Sequence, residues 1–99
     1  MKAKLLFRDK IIDEEGDMKE RVVWSVPPGD LYPAGVRYRL AFIPRGAARS
    51  AILYDNHHPK GHHRHLEGRE EPYDFDDTKT LQSDFERDVA RWKKARRTR

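Results

Sequence analysis

Ninety-nine residues, 36% of them hydrophobic and none of them cysteine, make one domain with one small core; they exclude a two-domain architecture, disulfides, thiolate nucleophiles and thiolate metal sites. Charged residues reach 38% and the formal net charge is +4, so the chain sits near the compositional border of folding without the self-repulsion that would carry it across. No run approaches the roughly 18 apolar residues of a membrane span, and Arg8 and Asp9 interrupt the N-terminus before a signal core forms, which predicts a cytoplasmic protein with no membrane partner.

The first half reads as antiparallel sheet. Lys2 to Glu14 and Met18 to Pro27 are rich in Leu, Ile, Val, Phe and Trp and flank Glu15-Gly16-Asp17, the pattern of a hairpin with a glycine-containing turn. Pro27-Pro28-Gly29 ends the second strand, because proline cannot donate to a central ladder. Val36 to Pro44 alternates, with Tyr38, Leu40 and Phe42 on one face and Arg37, Arg39 and Ala41 on the other. Ala51 to Tyr54 gives a fourth short strand and Gly61 to Leu66 a fifth extended stretch, followed by an acidic linker from Glu67 to Asp77.

From Thr80 the period changes. Leu81, Phe85, Val89 and Trp92 recur at spacings of 4, 4 and 3, which predicts an amphipathic helix of about four turns capped by Thr78 or Thr80. The fold class is therefore α+β: a four- to five-stranded antiparallel meander with one C-terminal helix packed on a face, the aromatic residues Trp24, Tyr38, Phe42, Phe85 and Trp92 supplying core. Six basic residues and no acid lie from Arg91 onward. Taking them from the total of 21 leaves fifteen basic against 17 acidic residues before that point. Residues 1–90 thus read as the domain and 91–99 as a basic helix end and tail, where sequence-independent RNA affinity is expected.

All five histidines fall within nine positions: His57, His58, His62, His63 and His65. In an extended strand His63 and His65 share a face, with Cα atoms roughly 6.5–7 Å apart. Two imidazoles at that separation can work as base and acid across a phosphodiester near neutral pH, without metal or cofactor. Lys60, Arg64 and Arg69 are the nearby phosphate-binding cations, although alternation turns Arg64 away from the two histidines. Asp55 either orients a histidine or closes a turn with Asn56. The same region also offers metal ligands in Asp55, His57, His63 and His65, at a spacing that matches no strong metal signature.

The run Tyr54-Asp55-Asn56-His57-His58-Pro59-Lys60-Gly61-His62-His63-Arg64-His65, then Gly68-Arg69-Glu70-Glu71-Pro72-Tyr73 and a helix containing Asp84-Phe85, resembles the TumE-like toxin family of bacterial toxin–antitoxin systems. The opening Met1-Lys2-Ala3-Lys4-Leu5-Leu6 and the strand from Val23-Trp24 to Pro27 are similar to that family too. The resemblance implies a small cytoplasmic toxin, neutralised by a DNA-binding antitoxin encoded nearby and acting on RNA or the ribosome. Similar sequences vary at the position of His62, which places His63 and His65 ahead of it as catalytic candidates. The expected activity is RNA cleavage with His63 and His65 as proton-transfer pair, Asp55 as orienter, and Lys60, Arg64, Arg69 and His57 on the substrate. A non-catalytic protein- or ribosome-binding module and a metal-dependent nuclease are the alternatives.

Overall fold

The computed structural model describes residues 3–98; Lys2, the expected start of the first strand, and Arg99 of the basic tail lie outside the described residues. Six strands form one antiparallel sheet in chain order: β1 (Lys4–Ile12), β2 (Met18–Ser25), β3 (Val36–Ile43), β4 (Ile52–Asp55), β5 (His63–Leu66) and β6 (Arg69–Pro72). A single helix, α1 (Thr78–Arg97), follows. The predicted α+β meander with a C-terminal helix is the observed architecture, with one strand more than the upper count.

The additional strand is β6, which occupies the start of the segment expected to be an acidic linker. Its turn explains why it forms there. Glu67 and Gly68 both adopt positive φ, 51° and 81°, the two-residue type I′ geometry that joins tightly twisted strands. Glycine takes that conformation freely and glutamate does not, so Glu-Gly lacks the strong hairpin signature of Asn-Gly. The helix likewise starts earlier than expected. Asp77 is extended and its side chain accepts a 2.7 Å hydrogen bond from the Thr80 N–H, so an aspartate, one residue before Thr78, is the cap.

Alternation gives the sheet two unlike faces. Val23, Tyr38, Leu40, Phe42, Ile52 and Tyr54 meet Leu81, Phe85 and Val89 of α1 in the core, with Phe7, Leu66, Phe75 and Trp92 packed at its edges. Phe42 and Trp92 meet edge to face with centroids 5.2 Å apart. Trp24 does not join this core. Its register partner Arg37 and the β1 cation Arg8, whose guanidinium carbon lies 5.7 Å from the indole centroid, place it on the open face. The β2 stretch Val22-Val23-Trp24 is apolar on both faces, so its pattern does not say which side is buried.

The basic helix end is held by the turn between β1 and β2. Lys93 bonds Asp13 and, at 2.9 Å, Glu15; Arg96 reaches Asp17 at 2.8 Å and Glu15 at 3.1 Å. Asp17 is fully buried and also accepts the Arg45 N–H at 2.8 Å. The Arg96 guanidinium foremost, helped by that N–H and by Lys93, holds the Asp17 carboxyl well below the usual carboxylate range against the opposing effect of burial.

Candidate active site

β5 divides its side chains between two jobs. Arg64 and Leu66 turn toward α1, while His63 and His65 share the open side. The two imidazole centroids are 5.1 Å apart, with ring planes at 74°. His63 Nδ1 lies 2.8 Å from the Gly61 carbonyl oxygen. A carbonyl only accepts, so Nδ1 carries the proton and Nε2 of the neutral ring keeps a free lone pair. His65 presents Nε2 to Glu70 Oε1 at 3.3 Å, and Lys60 Nζ donates to that same oxygen at 2.7 Å. Lys60 above all, with smaller contributions from His63 and His65, keeps the Glu70 carboxyl below its ordinary range.

The four groups make a base with an oriented lone pair, an imidazole beside an ionised carboxylate, and a lysine cation at the edge. Of the expected phosphate-binding cations, Lys60 is the one placed with the pair. Arg64 lies on the opposite face, as its position in the strand predicts, and donates to Glu71 at 2.5 Å, Asp88 at 3.0 Å and the Tyr54 hydroxyl oxygen at 3.1 Å. Arg69 is exposed and pairs in register with Leu66, on the Arg64 side of the sheet.

Asp55 is the cross-strand partner of His63, and its Oδ1 accepts the His57 N–H at 2.6 Å. That is the turn arrangement. Asn56 next to it is buried, accepting the Tyr38 N–H at 2.9 Å and donating to the Val36 carbonyl at 2.8 Å, so it extends the β3 edge with a side chain. The carboxylate in contact with the histidines is Glu70. Its signal lay in the hairpin: His65 and Glu70 are register partners one step from the Glu67-Gly68 turn. His57 and His58 are exposed in the loop after β4.

His62 faces the core side, stacked on Phe75 at 4.7 Å and on Tyr38 at 5.7 Å, with Nδ1 2.9 Å from the Tyr38 hydroxyl. Burial first, and the neighbouring His63 second, push its pKa down. A depressed imidazole pKa favours the neutral ring in the folded state, so the unfolded chain binds more protons below about pH 6.5 and folding stability falls as pH drops from there toward the lowered folded value. His62→Phe, which keeps the stack, should flatten that limb of a melting-temperature profile between pH 7 and 5. An unchanged slope would contradict this role.

Three donor atoms, from His63, His65 and Glu70, lie within 4.8 Å of one another. Two imidazoles and a carboxylate suit zinc, nickel, manganese or iron. This set differs from the expected one, since Glu70 takes the place of Asp55 and His57. Among the described residues, no helix is long and apolar enough to cross a membrane.

A family model described as Toxin TumE matches residues 2–93. No curated protein and no solved structure matches the chain.

Proposed function

The chain belongs to the TumE toxin family, and from that premise we propose that it arrests growth by cleaving RNA with the His63–His65 pair. The family makes it a toxin of a toxin–antitoxin system and implies a cognate antitoxin; in the reading proposed here that antitoxin is a DNA-binding protein encoded beside it. The observation that carries the RNA reading is the unlike wiring of two adjacent imidazoles, one bonded to the Gly61 carbonyl and the other facing Glu70.

Cleavage then runs without metal. His63 Nε2 takes the proton from a 2′-hydroxyl, the 2′-oxygen attacks the adjacent phosphorus, and protonated His65 gives its proton to the departing 5′-oxygen. The products are a 2′,3′-cyclic phosphate and a 5′-hydroxyl. Glu70 orients His65 and balances its charge, and Lys60 stabilises the negative charge that grows on the phosphate oxygens. The His63, His65 and Glu70 donor set supports a second reading, a metal-dependent nuclease. Incubating the purified protein with RNA, with and without EDTA, separates the readings. Cleavage in both samples is the expected result; cleavage only without EDTA favours the metal, and cleavage in neither favours a toxin that acts by binding.

A further inference from the structure

On its open face the sheet gathers a cluster of positive charge from β1 and β3. On the helix side Lys19, Arg21 and Arg64 each hold a carboxylate. On the open side the register sets Arg8, Val22, Arg39, Asp55 and His63 in one row across β1 to β5, and places Arg37 opposite Trp24 beside that row. Arg8 and Arg39 are exposed, Arg37 and Trp24 half-buried. Among the described residues none of Arg8, Lys10, Arg37 and Arg39 is in an ion pair. The carboxylates of this face on β1 to β4 are Glu20 and Asp55, and Asp55 already accepts the His57 N–H. One groove runs among Trp24, Arg37, Arg39, Asp55 and His57, and another among Arg8, Lys10, Val22, Arg39 and Glu20, with the Arg21–Asp9 pair in its wall.

We propose that this face is the track along which single-stranded RNA reaches the histidine pair, with Trp24 stacking on a base and Arg37, Arg39 and Arg8 holding phosphates. The proposal rests on the RNA reading above. At about 4.8 Å between strands and about 3.3 Å per residue along them, Trp24 on β2 stands about 16 Å from His63 on β5 and Arg39 about 10 Å, so one strand of RNA can engage all three. An indole on a sheet surface meets the face of an unstacked base, and a duplex hides those faces, so the occupant is a single strand. Charge argues the same way: three cations of the basic helix end, Lys93, Arg96 and Arg97, are already paired with the β1–β2 turn, and those of the open face are not.

The test is fluorescence anisotropy with a labelled 2′-O-methyl single strand, which binds but has no free 2′-hydroxyl to attack. Arg37→Gln/Arg39→Gln should weaken binding tenfold or more near physiological salt and make the log–log salt slope shallower by roughly 1.4, about 0.7 for each phosphate no longer neutralised. Trp24→Ala should weaken it by roughly tenfold, and Trp24→Phe, which keeps a ring and so guards against misfolding, should recover most of the affinity. Normal binding by the parent with no cleavage by the parent sinks the chemistry and leaves the track standing. The track itself is overturned if the parent does not bind the strand, if the arginine and tryptophan variants bind it normally, or if they lose the antitoxin and keep RNA.

Discussion

His65→Gln should abolish growth arrest and lower RNA cleavage by about 10²–10⁴-fold, the range for loss of one positioned acid or base. His65 is partly exposed, with Glu70 as its polar partner on this face and His63 and the β4 residue Leu53 beside it, so melting temperature should barely change. His63 needs a different substitution. It is 7% exposed, and truncation to Ala would remove packing together with a proton acceptor; His63→Gln preserves volume and isolates the chemistry. The double Gln variant should be no less active than the weaker single, because the two rings act in one step and their losses do not add. Glu70→Gln keeps the shape beside His65 and removes the charge, so it should fall between parent and His65→Gln. Full toxicity in the folded double variant would remove both histidines from the mechanism.

The largest effect on stability is expected at Arg64. Its guanidinium bridges β5 to α1 through Asp88, β6 through Glu71 and the hydroxyl of Tyr54, which itself donates to Asp88. Tyr54 is fully buried and Asp88 is 7% exposed. Arg64→Leu leaves that aspartate charged and without its cation, and removing one partner of a buried pair costs about 3–5 kcal/mol. With the Arg64 side chain 24% exposed, water offsets part of this, so the lower end, about 3 kcal/mol by chemical denaturation, is the expected value. Arg64→Leu/Asp88→Leu should recover much of the stability, because the cost arises from the orphaned charge. A loss under about 1 kcal/mol in the single variant would show that the network adds little to the packing around it.

What the residue pattern revealed and what it hid follow from periodicity. The alternation of Tyr38, Leu40 and Phe42 and the helical recurrence of Leu81, Phe85 and Val89 identify both halves of the core, since each stripe has one apolar side and one polar side. The same alternation separates Arg64 from His63 and His65 within a four-residue strand. Trp24 escaped because its strand is apolar on both faces, and its lone side on the sheet surface is set by register with Arg37. Glu70 escaped because β6 is short and polar, and its pairing depends on the left-handed Glu67-Gly68 turn, a conformation that composition does not announce. The ionic clamp of Lys93 and Arg96 on Asp13, Glu15 and Asp17 joins residues about 80 positions apart in the chain, so charge runs alone could not pair them.

The central claim, that paired imidazoles transfer protons to and from RNA, is tested most directly by the chemistry of the cut ends. A short single-stranded RNA is digested with the purified toxin in EDTA and the fragments are weighed by mass spectrometry, beside a strand carrying 2′-deoxyribose at the cut position. Fragments ending in 2′,3′-cyclic phosphate with 5′-hydroxyl partners, and no cut in the deoxy strand, are the predicted result. Fragments with 3′-hydroxyl and 5′-phosphate ends, or cleavage of the deoxy strand, would contradict it.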